Sequence, residues 1–326
     1  MFSVKYSYED FDGKLVVRPR YMAICHADQR YYMGQRDAKI LRKKLPMALI
    51  HECCGEVVYD GTSTYKPGQK VVLIPNVPPD EPIKGVYENY GKGSHFLSSG
   101  YDGFMREFVV INPDRTVPFN RISMDVAAIC EFVSVGVHAI KRLMEISNRL
   151  SGRIGIWGDG SLAYTVCCCL RRLIPKAKVC VIGKNLAKLS QFAFADFTYI
   201  VDDLPEDFEV DHAFECAGGE GSFYAIDDII NYINPQGTVM LMGVSENKIP
   251  INTRNLMEKG LVFVGSSRSG REDFLTAVNL MEDEKFEKRL CNIIFQDEAV
   301  ANINDIHRVF KTDLNTPFKT VFEWSI

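Results

Sequence analysis

The residues whose types and spacing most directly specify a chemistry run Gly158-Asp159-Gly160-Ser161-Leu162-Ala163. They fit G-x-G-x-x-G/A, the turn that carries a dinucleotide pyrophosphate between a strand and a helix. Gly158 permits the tight turn, Gly160 lets the backbone approach a pyrophosphate, and Ala163 keeps the new helix close to its strand. The free N–H groups at the helix start, at Ser161 and Leu162, then face the phosphates. Glycine-rich turns of this kind also occur without a ligand, so their surroundings decide.

Those surroundings read as a parallel sheet. A short apolar run from Arg153 leads into the turn, and the apolar segment from Tyr164 to Leu173 follows as a helix. Further strands are expected at Lys178 to Ile182, Val210 to Glu215, Gly237 to Met242 and Leu261 to Gly265. Strands alternating with helical stretches indicate a doubly wound α/β sheet covered on both faces. NAD enzymes place an acid at the end of the second strand to bind the ribose 2′-OH. Here that place holds Gly183 followed by Lys184, with Lys188 one helical turn on. Glycine leaves room for a 2′-phosphate and lysine attracts it, so the sequence predicts NADPH over NADH.

Upstream, the chain changes character. Lys14 to Pro19, Gly55 to Val58 and Lys70 to Ile74 read as short strands separated by Gly and Pro signals such as Pro67-Gly68. Gly100 to Val110 regains strand character after the loop-like Pro75 to Tyr101, and Met124 to Leu143 reads as helix. The expectation is a β-rich domain, built as a distorted barrel, up to about Ser134. After a helix at Asp273 to Met281, the tail from Phe286 mixes short strands with a helix near Ile306 to Phe310 and is expected to pack back onto it.

The 326 residues carry a net charge of −4 and ordinary globular composition, which gives no reason to expect nucleic acid as a partner. No segment offers the ~20 uninterrupted apolar residues of a membrane span. The polar N-terminus does not read as a secretory signal. Of the ten cysteines, Cys167, Cys168 and Cys169 are consecutive on the fingerprint helix and Cys53-Cys54 follow the His51-Glu52 pair. Reduced thiols in the cytoplasm are the expected state.

Cys25, His51 and Glu131 lie far apart in the chain, so spacing alone does not make them a metal site, and each has an ordinary structural explanation when taken singly. Each nevertheless sits in a distinctive phrase. Cys25-His26-Ala27-Asp28 resembles the C-x-[ST]-D phrase of the zinc-dependent medium-chain dehydrogenase/reductase family. His51-Glu52-Cys53-Cys54-Gly55 resembles that family's G-H-E-x-x-G, with Ile50 in place of the first glycine, and Glu131-Phe132-Val133-Ser134-Val135 resembles its E-P-L-x-V. The three occur in order upstream of the fingerprint at the family's intervals, and the resemblance covers nearly the whole chain.

The resemblance implies a GroES-like catalytic domain, residues 1–134 with 284–326, and a Rossmann NADP-binding domain, residues 135–283. It implies one catalytic zinc in the cleft, held by Cys25, His51 and Glu131, with Glu52 either a direct ligand or a carboxylate behind the ligands. Asp28 would orient His51. A thiolate, an imidazole and a carboxylate suit Zn²⁺ with one position left for a substrate oxygen. A second, structural zinc is not expected, because Pro75 to Val110 lacks the four cysteines that hold it elsewhere in the family. Ala27 stands where many relatives relay a proton through Ser or Thr, so the donor would be water or a side chain such as Glu52 or His26.

Longer phrases narrow the resemblance: Cys25 to Tyr32, Lys44 to Glu52, Ser98 to Met105, Asp211 to Gly219 and Gly265 to Gly270 are similar to those of ribulose-5-phosphate reductases of teichoic-acid and capsule synthesis. That implies reduction of D-ribulose 5-phosphate to D-ribitol 5-phosphate. The product would supply CDP-ribitol, with a ribitol-5-phosphate cytidylyltransferase as pathway partner. Arg30, Lys44 and Arg268 are the candidates for the substrate phosphate, Arg30 first. Relatives form dimers or tetramers, and Asn255 to Val264 would supply an edge strand for such a homo-oligomer. Two rivals remain at this stage. One is an NAD-dependent polyol dehydrogenase acting on an unphosphorylated substrate. The other is a non-catalytic NADP-binding redox sensor.

Overall fold

The computed structural model describes residues 3–6, 8–147 and 149–326. The chain divides into two compact units, Met1–Ser134 with Arg268–Ile326, and Val135–Ser267.

The first unit is organised on the strand Leu15–Ala23. It pairs antiparallel with Glu52–Asp60 on one side and with Lys319–Glu323 on the other, and its start also pairs with Val109–Ile111. Lys70–Leu73 and Thr116–Pro118 extend the sheet outward, and Ile294–Gln296 joins parallel to the closing strand. This is a seven-stranded, branched sheet, and among the described residues its two outer strands do not pair. The barrel expected from the sequence is thus not closed. The tail does return to the first sheet, because the closing strand is hydrogen-bonded in register with the opening one.

One face of this sheet buries Met22, Leu49, Phe104, Phe322 and Trp324 together with Ile306, Val309 and Phe310 of the helix Ile303–Asp313. The last three residues recur at helical spacing, so one stripe of the helix faces the sheet. Each such side chain, fully buried, contributes roughly 1.5–3 kcal/mol.

Two expectations need correction here. Of the stretch Gly100 to Val110 only Val109 and Val110 are strand, within Val109–Ile111. The amides of Gly103, Phe104 and Met105 instead donate to the carbonyls of Ala48, Ile50 and Leu49, which ties this loop to the approach to His51. Second, the first unit resumes at Arg268, not at residue 284. Arg271 opens the helix Arg271–Met281; its amide donates to Glu88 and its guanidinium to the carbonyls of Asp114 and Thr116. Those contacts fasten the helix to the first unit.

The second unit is a six-stranded sheet in the order Phe197–Ile200, Lys178–Gly183, Arg153–Trp157, Val210–Glu215, Ile233–Leu241, Val262–Gly265. All five pairings are parallel. The order is the doubly wound 3-2-1-4-5-6, whose ligand crevice lies at the strand ends where the order reverses. Here the reversal falls between Arg153–Trp157, which leads into Gly158, and Val210–Glu215, which leads into Cys216. The helix Ser161–Leu173 buries Ala163, Tyr164, Val166, Leu170 and its three consecutive cysteines. The cysteines serve as small apolar side chains there, and burial pushes the Cys169 thiol far above its ordinary value.

Candidate metal and coenzyme sites

Strand register brings the metal-type donors together. Ala23 faces Glu52 on one neighbour and Val321 on the other. The ends of three strands therefore meet at one point, where Cys25 follows the first, Glu52 opens the second and Lys319 opens the third. Ligand atoms of Cys25, His51 and Glu52 all lie within 4.8 Å of one another. Cys25 is half-buried while His51 and Glu52 are buried.

Asp28 holds this arrangement from behind. Its side chain is fully buried on the helix His26–Tyr32. One carboxylate oxygen accepts from Ser98 Oγ at 2.7 Å and from the Ile50 amide at 3.1 Å; the other accepts from the Cys25 amide at 3.3 Å and lies 3.3 Å from His51 Nδ1. Burial alone would raise the Asp28 carboxyl, but His51, Ser98 and Ile50 outweigh it and hold it below the usual range. Burial would likewise lower the His51 imidazole, yet Asp28 and Cys25 hold it well above its usual value. With Nδ1 committed to Asp28, Nε2 is the nitrogen left for a metal.

Ile50, which replaces the family's glycine, sits at φ 67° with its side chain fully buried. This left-handed backbone is strained for a β-branched residue. The surrounding hydrogen bonds keep it, for the Ile50 amide donates to Asp28 and its carbonyl accepts from Phe104.

Glu52 is fully buried, and Oε1 lies 2.5 Å from Lys319 Nζ. Lys319 also donates to the Ile24 carbonyl at 3.0 Å and lies over the Phe132 ring at 4.5 Å. Burial would lower this ammonium, but Glu52 and Cys25 hold it above its ordinary value. Glu52 Oε2 has no hydrogen-bond partner. A buried carboxylate oxygen without a donor, beside a thiol and an imidazole, is the feature expected of a metal ligand. The donor set therefore fits the zinc that the sequence implies. Glu131 is buried at the start of the helix Cys130–Ile146 and lies outside the 4.8 Å group. Its carboxyl is pushed up to about 7, chiefly by burial, with His51 opposing and Glu52 reinforcing the shift.

The glycine turn has the geometry its residues ask for. Gly158 has φ 137°, and a Cβ there would meet the Cys216 carbonyl oxygen at 2.9 Å, whereas a Cβ on Gly160 would meet nothing within 4 Å. Gly160 caps the helix that starts at Ser161 and Leu162, and Ala163 is fully buried against the sheet. Gly183 ends the second strand, Lys184 is exposed and Lys188 is half-buried. The Lys184 ammonium lies 5.4 Å from the centre of the Tyr224 ring.

Two residues of consequence escaped the sequence reading. Lys319 lies in the tail, and only the strand register brings it to Glu52. Glu215 ends the central strand as a buried carboxylate; it accepts from the amides of Ala217, Gly218 and Gly243 and from Ser222 Oγ. It thereby braces the two glycine loops at the crevice. A carboxylate ending a strand just before Cys216-Ala217-Gly218-Gly219 was a signal that could have singled it out.

The three phosphate candidates have different surroundings. Lys44 Nζ donates to Ser99 Oγ at 2.9 Å and Tyr31 OH at 3.2 Å. Arg30 is half-buried in the last turn of its helix. The Arg268 guanidinium lies 5.1 Å from the centre of the Phe96 ring, and that ring meets the His51 ring edge-on at 5.3 Å. Arg268 is therefore one aromatic ring away from the metal-type donors.

The fold and the site define a class. Residues 12–121 match the alcohol dehydrogenase GroES-like domain, and residues 176–283 match the zinc-binding dehydrogenase domain. The chain belongs to the zinc-binding alcohol dehydrogenase family. Within it, the chain is 56% identical over 326 residues to ribulose-5-phosphate reductase of Streptococcus pneumoniae, covering 99% of this chain and 94% of that one. It is 45% identical to ribulose-5-phosphate reductase 1 of Staphylococcus aureus, with 99% and 96% covered. The crystal structure of S. aureus TarJ in complex with NADPH matches with a TM-score of 0.88 at 41% identity, covering 100% of this chain and 96% of that one.

Proposed function

We propose that the chain is a zinc-dependent reductase that converts D-ribulose 5-phosphate to D-ribitol 5-phosphate with NADPH. The observation that carries this reading is the group of Cys25, His51 and Glu52, with its orphaned Glu52 oxygen, in a chain 56% identical to a ribulose-5-phosphate reductase.

Cys25, His51 and Glu52 would hold the metal, with Glu131 as the nearby carboxylate. When bound, zinc supplies a Lewis acid for the C2 carbonyl, and NADPH supplies the hydride. Asp28 holds His51 Nδ1, which leaves Nε2 for the metal. Ser161 and Leu162 open the helix whose amides would hold the pyrophosphate. Lys184 and Lys188 would supply positive charge for the 2′-phosphate. Ala27 has no hydroxyl, and Glu52 is committed to Lys319 and the metal, so the proton that completes the alcohol would come from water or from His26.

The product would feed a cytidylyltransferase that makes CDP-ribitol for ribitol-phosphate polymers. The exposed Val262 on the edge strand Val262–Gly265 supports a homo-oligomer formed through the second unit. No helix among the described residues is long and apolar enough to cross a membrane, in keeping with a cytoplasmic enzyme.

The test follows the absorbance of the reduced nicotinamide with D-ribulose 5-phosphate, comparing NADPH with NADH and zinc-replete with chelated protein. Fast, chelator-sensitive NADPH oxidation is expected, and Lys184→Asp should weaken NADPH binding. No oxidation by zinc-replete protein overturns the substrate assignment. A clear preference for NADH overturns the coenzyme assignment.

A further inference from the structure

The middle residue of the glycine turn does something that the dinucleotide fingerprint does not require of it. Asp159 Oδ2 accepts from the amides of Lys184 and Asn185, both at 2.8 Å. A Cβ built on Gly183 would meet Asp159 Cβ at 2.7 Å and Oδ2 at 2.8 Å. The Asp159 carboxyl group therefore occupies the space of the side chain that Gly183 lacks. This is the end of the second strand, where a carboxylate ordinarily receives the ribose 2′-OH and a 2′-phosphate must otherwise be accommodated. The strand end has no acid of its own and is met by one from the neighbouring loop.

We propose that Asp159 sets how strongly this chain discriminates between NADPH and NADH, by presenting from the glycine turn the carboxylate absent at Gly183. This rests on the NADPH reading above and deepens it. Gly183 and Lys184 alone favour the 2′-phosphate, while Asp159 opposes it with a like charge. Lys184 offsets that charge only in part, since its ammonium lies over the Tyr224 ring. The balance leaves a coenzyme preference weaker than Gly183 and Lys184 would set by themselves.

Asp159→Asn separates charge from structure, because the amide oxygen still accepts from Lys184 and Asn185 while the negative charge is gone. Calorimetric dissociation constants for NADPH and NADH, without substrate, are the readout. Adenosine 2′,5′-bisphosphate and 5′-AMP serve as probes that differ in the 2′-phosphate. The expected result is an NADPH-to-NADH affinity ratio raised about tenfold, the size of one solvent-screened like-charge contact. Adenosine 2′,5′-bisphosphate should gain in parallel, and the gain should shrink at high salt. Asp159→Ser, which keeps a smaller acceptor, should move the ratio the same way. An unchanged or lower ratio, or equal weakening of both coenzymes, overturns the proposal and leaves Asp159 as a brace of the turn. If the unmodified protein binds neither coenzyme, the functional reading fails first and this inference with it.

Discussion

Lys319 and Glu52 form an ion pair 2.5 Å long between two buried side chains, joining the closing strand to the strand that opens beside His51. Only one Glu52 oxygen is satisfied by it. Removing one member of a buried pair leaves an uncompensated charge, which costs about 3–5 kcal/mol. Lys319→Met should therefore destabilise the metal-free protein by about that much in urea denaturation. Adding Glu52→Gln to Lys319→Met should recover most of the loss. Equal stability of the Lys319→Met variant and the unmodified protein would show that the pair is not formed.

Asp28 makes the second testable contribution. Its carboxylate spans the Ser98 hydroxyl, two backbone amides and His51 Nδ1. Asp28→Asn keeps the size but loses the charge that fixes the imidazole. Loss of such a partner typically lowers metal affinity about 10–100-fold. Competition with a chromophoric chelator measures this directly, without reference to turnover. Unchanged affinity would mean that the helix start alone positions His51.

The parts that local pattern determines were legible in the sequence. The fingerprint turn follows from the apolar run Ile154 to Trp157 that ends at Gly158, and the Val210–Glu215 strand from its place before Cys216-Ala217-Gly218-Gly219. Less legible was whatever depended on partners distant in the chain. The strand Phe197–Ile200 has only four residues, too few to show an alternation, and none of them is buried. The strand Ile233–Leu241 runs through Asn234-Pro235-Gln236-Gly237, which reads locally as a turn, and Gln236 has φ 62° with a register shift in the pairing. For the metal site, motif phrases singled out Cys25, His51 and Glu52, whereas Lys319 is an unremarkable lysine until the register of the closing strand sets it beside Glu52.

His212 yields a pH prediction for the second unit. The Thr238 amide donates to Nδ1 at 3.2 Å, so Nε2 carries the proton and donates to Ser147 Oγ at 2.6 Å. Protonation would destroy the acceptor for Thr238, and burial holds the imidazole below its usual value. Above the unfolded value of about 6.5, both states are neutral and His212 adds no pH dependence. Below it the unfolded chain binds a proton that the folded chain refuses, so stability falls with pH until the folded group also titrates. The slope approaches about 1.4 kcal/mol per pH unit in that window. Thermal unfolding of the unmodified protein and His212→Gln, compared from neutral to mildly acidic pH, isolates this contribution. Identical slopes would mean that His212 titrates alike in both states.

Arg268 is the phosphate candidate that the geometry favours over Arg30. Its backbone is held at φ 59°, and its guanidinium lies over Phe96, the ring that packs against His51. A sugar phosphate whose carbonyl faces the Cys25–His51–Glu52 group would have its far end within reach of this cation. Hydrogen bonds to charged groups are worth about 1.5–3 kcal/mol, so Arg268→Ala should raise KM for D-ribulose 5-phosphate about tenfold to a hundredfold. The effect of Arg30→Ala should be smaller. D-Ribulose without its phosphate supplies the control, because its slower reduction should be the same in the Arg268→Ala variant as in the unmodified protein. Equal losses with both substrates would show that Arg268 supports the Phe96 and His51 rings instead of binding phosphate. A larger KM effect from Arg30→Ala would move the phosphate to the end of the helix His26–Tyr32.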